Sequence, residues 1–86
     1  MPLSDRDRSI LDFERIWWTL PGPKELAIRA HLGLSPTRYY RALAALMESR
    51  EAEAYDPLVV RRLRLHRDRR RRARYEGRAD GRPQIR

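Results

Sequence analysis

The segment from residue 61 to residue 74 is too rich in arginine to add much to a hydrophobic core. It holds nine arginines in fourteen residues, and its single acidic residue is Asp68. Charged side chains are almost never fully buried without a partner. The core must therefore come from what precedes this segment, and a chain of 86 residues has room for one small domain. We place that domain at residues 1–65 and a basic helix extension with a flexible tail at residues 66–86.

The positive charge of the chain is concentrated at its C-terminal end. Residues 1–56 carry eight basic and nine acidic groups, whereas residues 57–86 carry twelve basic and three acidic groups. The whole chain has a formal net charge of +8. A near-neutral body with a strongly basic extension indicates a polyanionic partner, such as a nucleic acid or an anionic membrane surface.

Composition argues against several other classes of protein. The chain has no cysteine and only two histidines, so it offers no disulfide framework, thiol nucleophile or cysteine-based metal site. It has no paired-carboxylate constellation and no glycine-rich phosphate loop, so we expect no enzyme, cofactor, bound metal or small-molecule substrate. No apolar run approaches the roughly 18 residues of a membrane span. The N-terminus lacks an apolar signal core, so we expect a cytoplasmic protein with no membrane partner.

The first predicted helix begins after Ser4, which is a good N-cap, and ends near Leu20 before a Pro-Gly-Pro sequence. Apolar residues recur along it at helical spacing. Neighbouring positions on a helix lie about 100° apart, so the two tryptophans cannot both face the core. We expect Trp17 to pack inside and Trp18 to be partly exposed. The carboxylates Asp12, Glu14 and Glu25 are expected to form ordinary surface ion pairs.

A second helix is predicted over residues 24–32, ended by Gly33. Its inward-facing residues are expected to be Leu26, Ala27, Ile28 and Ala30.

A third helix begins with Ser35 as N-cap and Pro36 in its first turn. One stripe of this helix is apolar and is expected to face the core: Tyr39, Ala42, Leu43, Leu46 and Met47. Residues 51–55 are interpreted as an acidic connector or a frayed helix end.

Asp56 and Pro57 repeat the cap-then-proline signal and predict a fourth helix, apolar as far as Leu65 and arginine-rich beyond it. Residues 77–86 contain two glycines and a proline and are predicted to be a disordered tail. The predicted fold is all-α, with a three-helix helix-turn-helix domain, an arginine-rich fourth helix and this tail.

The second and third helices, joined through Gly33, make the helix-turn-helix candidate. The free face of the third helix would enter the major groove of DNA, with Arg38 and Arg41 as first candidates for contact and Thr37 and Tyr40 as second. The same pattern fits a purely structural helical corner. Arg29 also occupies the position, four residues before the turn glycine, where helix-turn-helix proteins usually have a small residue.

The arginine run is interpreted as a phosphate-binding arm, because so dense an array repels itself without an anionic partner. A solvated helix used for solubility, or one that binds a membrane or a protein, is the alternative. The predicted phosphate-binding residues are Arg61, Arg62, Arg64, Arg67, Arg69, Arg70, Arg71, Arg72 and Arg74.

Several segments together resemble a small actinobacterial family catalogued as a domain of unknown function. The matching pieces are residues 11–15 (LDFER) with the tryptophan pair, 24–29, Ser35 with 37–40 (TRYY), and 56–59 (DPLV) with the arginine-rich end. The resemblance covers residues 4–74. A mycobacterial member of that family is a nucleoid-associated protein. The resemblance therefore implies DNA binding, with DNA bending or compaction and autoregulation as further expectations.

These observations together predict a double-stranded DNA-binding protein of the nucleoid, either nucleoid-associated or transcription-regulatory. Dimerisation with a second copy and contact with the transcription machinery are further candidate interactions. The alternative from another class is an adaptor that binds RNA polymerase or a sigma factor through Trp18 and the exposed face of the first helix. RNA binding ranks third, because no aromatic stacking platform is apparent.

Overall fold

A computed structural model describes residues 2–80, which form five α-helices and one 3₁₀ turn, with no strand among them. The elements in chain order are α1 (Asp5–Ile16), the 3₁₀ turn (Trp17–Thr19), α2 (Lys24–Leu32), α3 (Pro36–Met47), α4 (Arg50–Tyr55) and α5 (Pro57–Asp80). The all-α prediction is confirmed for this part of the chain. None of its helices is both long enough and apolar enough to cross a membrane.

The first helix starts where the sequence predicts but ends earlier. Ser4 caps α1 by accepting a hydrogen bond from the Asp7 N–H at 3.0 Å, and the Asp7 carboxylate reaches back to the Ser4 N–H. The regular α-helix ends at Ile16, not near Leu20. The following Trp17–Thr19 segment is 3₁₀, with the Leu20 N–H donating to the Trp17 carbonyl at 2.9 Å. The Thr19 hydroxyl also donates to the Ile16 carbonyl at 2.6 Å, and Pro21 disfavours a helical Leu20.

The core lies where α1, α2 and α3 meet, with α4 and α5 closing it. The buried side chains are Ile10, Leu11, Phe13, Ala27, Ile28, Tyr39, Leu43, Leu46, Ala52, Val59 and Val60. Trp17 packs against this cluster and Trp18 is 65% exposed, so the predicted division of the tryptophan pair is confirmed.

The predicted bounds of α2 are confirmed, but its predicted inward face is partly wrong. Ala27 and Ile28 are buried, whereas Leu26 is 63% exposed and Ala30 is also exposed. The complete burial of Ile28 sets the rotation of this short helix. With Ile28 and Ala27 inward, the 100° step per residue places Leu26 and Ala30 about 40° apart on the same side of the helix, turned away from the packed face.

The prediction that residues 51–55 are an acidic connector or a frayed helix end is wrong, because this segment belongs to a separate helix, α4. The Ser49 hydroxyl caps it by accepting from the Ala52 N–H at 3.1 Å. Ala52 is completely buried, so α4 adds one small side chain to the core.

The last helix, α5, begins at the predicted cap and runs further than predicted. The Asp56 carboxylate accepts from the Val59 N–H at 3.2 Å and is itself buried. The backbone is helical to Asp80, so the disorder predicted from residue 77 is wrong for residues 77–80. A single helix-interior glycine costs only about 1 kcal/mol, which good helix formers around it offset. The rest of the predicted tail, residues 81–86, lies outside the described part of the chain.

Candidate nucleic-acid interface

The free face of α3 presents the side chains that the sequence singled out for DNA contact. Ser35 accepts a hydrogen bond from the Arg38 N–H at 3.2 Å and fixes the start of the helix. Thr37, Arg38 and Arg41 are exposed, and Tyr40 is 41% exposed. The opposite stripe faces the core, as predicted, with Ala42 partly buried and its other four residues buried, so none of the four exposed residues is needed to fill the core.

The four residues do not lie on one line. At 100° per residue, Thr37 and Arg41 share the centre of the free face, while Arg38 and Tyr40 lie on opposite flanks of it. The Tyr40 flank faces α5, where a groove of about 400 Å³ separates the two helices. The groove is lined by Lys24, Tyr40, Leu43, Ala44, Met47, Leu63, His66, Arg67 and Arg70. One member of the α3 set and two of the predicted arginines, Arg67 and Arg70, therefore share one surface.

Lys24, the chain's only lysine, forms the floor beside Tyr40. Its ammonium nitrogen lies 4.5 Å from the centroid of the Trp17 ring and 5.3 Å from that of Tyr40. It also forms an ion pair with Glu14 at 2.8 Å. Cation–π contacts and a buried ion pair hold this part of the groove in place.

The prediction that Glu14 belongs to an ordinary surface ion pair is wrong. Glu14 is only 2% exposed, and its carboxylate accepts hydrogen bonds from Lys24 and from the Tyr39 hydroxyl. Burial, followed by the nearby negative charge of Glu14, raises the pKa of Tyr39 well above its ordinary value. Tyr39 therefore remains a protonated donor at any physiological pH.

The arginine run divides into two groups, and the first group has partners within the protein. Arg62 donates to the carbonyl oxygen of Glu14 at 2.7 Å. Arg64 donates to the carbonyl oxygen of Met47 at 2.6 Å, and Arg67 to the Glu48 carboxylate at 2.7 Å. These three side chains stabilise the position of α5 against the rest of the domain. The spacing of arginines in the sequence does not reveal this role.

The second group has no hydrogen bond or ion pair within the described part of the chain and is exposed to solvent. Its members are Arg61, Arg69, Arg70, Arg71, Arg72 and Arg74. Five of them follow Leu63, which is the last apolar residue to pack on the core among the α5 side chains that the structure describes. At 100° per residue these five point in all directions around the helix axis, so α5 is positively charged on every side beyond the domain body.

Comparison with known proteins identifies a family whose model spans nearly all of the helices described above. A family model described as protein of unknown function DUF3263 matches residues 2–75. The chain belongs to the DUF3263 family. The match includes all of α1 to α4 and the arginine run of α5, which confirms the resemblance to a domain of unknown function. No curated protein and no solved structure matches the chain.

Proposed function

We propose that this DUF3263 protein binds double-stranded DNA, with the free face of α3 in the major groove and the distal arginines of α5 on phosphates. The observation that carries the proposal is the second arginine group of α5. These arginines have no hydrogen bond or ion pair within the described part of the chain, and the helix that bears them is anchored beside α3. Like charges at this density repel one another, and phosphates that replace solvent around them remove that cost.

The connection between α2 and α3 supports the interpretation of the domain as a helix-turn-helix. Gly33 has a left-handed backbone, with φ of 67°, and its N–H donates to the Arg29 carbonyl at 3.0 Å. Three residues thus connect two short helices, and a connection of this length that contains a glycine is typical of helix-turn-helix domains. The exposed, capped N-terminal half of α3 is the part of a recognition helix that contacts bases and phosphates in such domains.

Broad coating of DNA fits these features better than recognition of a single operator. Most of the candidate contacts are arginines on α5, which bind phosphate without reading sequence. The resemblance to a family with a nucleoid-associated member supports the same proposal, and the nucleoid is the proposed location of the protein. One domain of this size covers a short stretch of duplex, so a homodimer is part of the proposal.

The proposal is tested by duplex binding at several salt concentrations, with the full chain and two truncated forms. Neutralisation of five or six phosphates predicts a slope of log K against log salt of about −5. A chain ending at Asp68 retains Arg64 and Arg67 but lacks the distal arginines, and we expect weaker binding with a flatter slope. A chain ending at Asp80 is the matched control and retains Arg69 to Arg74. Equal affinity and slope for both truncations would contradict the role of the distal arginines.

A second candidate function, a protein-interaction adaptor for the transcription machinery, is favoured by exposed apolar side chains. Trp18 is 65% exposed, and on α5 the outward-facing Leu58 and Leu65 are 72% and 51% exposed. Arg61 lies between these two leucines, which suits an acidic, apolar partner surface. Absence of duplex binding at low salt, combined with binding to RNA polymerase or a sigma factor, would establish this alternative.

A further inference from the structure

Two arginines of α5 hold this helix against the C-terminal end of α3. The last four carbonyls of an α-helix have no partner within the helix. Arg64 Nε donates to one of them, the Met47 carbonyl, at 2.6 Å. One turn further along α5, Arg67 Nη1 lies 2.7 Å from the carboxylate of Glu48, the residue that follows α3.

Each of the two arginines also has a second partner, which is a carboxylate. Arg64 lies 3.6 Å from Glu53 of α4, and Arg67 Nε donates to Asp68 at 3.2 Å. Their side chains are 33% and 27% exposed, so they are packed on the domain. Beyond Leu63, the only hydrogen bonds and ion pairs from described α5 residues to other helices or the residues that flank them are those of Arg64 and Arg67.

We propose that Arg64 and Arg67 are positioning residues rather than phosphate ligands, an inference that rests on the proposed DNA-binding function. They fix the direction in which α5 leaves the domain, so that the α3 face and the distal arginines form one preset surface. An arm held in its bound orientation loses less conformational freedom on binding than a free one. The ion pair between Arg67 and Glu48 can be broken by substitution of either residue. The two substitutions change the net charge in opposite directions, so an effect of the lost contact can be distinguished from an effect of charge.

Glu48→Gln is the decisive variant, because the two roles predict opposite signs. Removal of a negative charge that merely repels phosphate would tighten binding to a duplex. Loss of the Arg67 partner should instead weaken it, by about two- to fivefold for one partly exposed ion pair. Glu25→Gln, an exposed residue of α2, removes the same charge elsewhere and should bind as tightly as the wild type or more tightly.

Arg67→Gln and Arg69→Gln form the second matched pair, since each removes one arginine. A lost phosphate contact flattens the slope of log K against log salt by about 0.9. Arg69→Gln should show this change, whereas Arg67→Gln should lower affinity with the wild-type slope. In the double variant Glu48→Gln/Arg67→Gln, the loss should not exceed that of Arg67→Gln alone, because both changes break one contact.

Amide hydrogen exchange in the absence of DNA provides a readout that does not depend on binding. Glu48→Gln should exchange faster than Glu25→Gln in α5 beyond Leu63 and at the same rate in α1. If the wild type binds duplex but Glu48→Gln binds as Glu25→Gln does, this inference is overturned alone. If the wild type binds no duplex at any salt concentration, the proposed function fails and the inference fails with it.

Discussion

The ammonium group of Lys24 lies 2.8 Å from the carboxylate of Glu14, and this pair joins the start of α2 to the buried side of α1. The Glu14 side chain is 2% exposed and that of Lys24 17% exposed. Tyr39 of α3 donates its hydroxyl to the same carboxylate. One buried carboxylate therefore connects all three helices of the proposed DNA-binding domain, and its partner Lys24 lines the groove beside Tyr40.

Replacement of Lys24 by methionine should destabilise the domain strongly. A buried carboxylate left without its cation costs about 3 kcal/mol or more, even though Tyr39 still donates to it. Chemical denaturation of Lys24→Met measures the loss. The double variant Glu14→Gln/Lys24→Met removes the stranded charge and should recover part of the stability. A Lys24→Met protein as stable as the wild type would show that the ion pair contributes nothing to folding.

The hydrogen bond from Tyr39 to Glu14 should make stability depend on alkaline pH. Burial and the Glu14 charge raise the pKa of Tyr39 in the folded state, whereas in the unfolded chain it titrates near 10. Above pH 10 the unfolded chain releases a proton that the folded chain retains, so this contribution to stability decreases as the pH rises. Tyr39→Phe removes both the bond and this dependence.

Urea denaturation of the wild type and Tyr39→Phe at pH 8, 9.5 and 11 checks this expectation. At pH 8 the wild type should be more stable by about 1–2 kcal/mol, the typical contribution of a hydrogen bond to a charged group. The difference should narrow as the pH passes 10. A difference that stays constant over this range would contradict the assigned pKa direction.

The start signals of the helices could be predicted from sequence because they are local. Ser4, Ser35 and Asp56 each accept a hydrogen bond from a backbone N–H three residues further on, and this spacing is visible in the sequence. Gly33 likewise ends α2 where predicted, because the left-handed cap favours glycine. The helix α4 was not predicted, because its only buried side chain is Ala52 and one buried residue gives no helical periodicity of apolar positions.

The partners of charged side chains could not be predicted, because they are set by tertiary packing. Glu14 and Lys24 are separated by a Pro-Gly-Pro turn whose path decides whether they meet. Arg64 and Arg67 look like Arg69 in the sequence, yet only the first two reach the end of α3. The fold class and the exposed face of α3 thus follow from periodicity, whereas the division of the arginine run requires the structure.

The two tryptophans should differ in their contribution to stability. Trp17 packs on the core and on Lys24, so Trp17→Ala should cost about 3 kcal/mol, a large share of the roughly 5 kcal/mol of a small domain. Trp18 is mostly exposed and donates to the Arg15 carbonyl at 3.0 Å, so Trp18→Ala should cost about 1 kcal/mol or less. Thermal melts of both variants measure these losses. A larger loss of stability for Trp18→Ala than for Trp17→Ala would contradict the assignment of Trp17 to the core and Trp18 to the surface.

Substitution of Arg38 or Arg41 tests whether α3 reads sequence or only docks. The two side chains lie about 60° apart on an exposed face, and the protein makes no use of either in its core. Contact with guanine edges would make each Ala variant lose about 1–3 kcal/mol on a preferred site and much less on other DNA. Contact with phosphates would weaken binding to every duplex by a similar factor.

We expect the second result for both arginines, because they lie at different angles from the centre of the face and the distal arginines of α5 already favour contact without sequence preference. The measurement is competition binding of Arg38→Ala and Arg41→Ala on a selected duplex and a scrambled one. Arg50→Ala, at an exposed residue of α4, is the matched control for loss of one charge. A large effect confined to the selected duplex would make the protein a specific regulator. An effect no greater than that of the control on either duplex would remove α3 from the interface and favour the adaptor function.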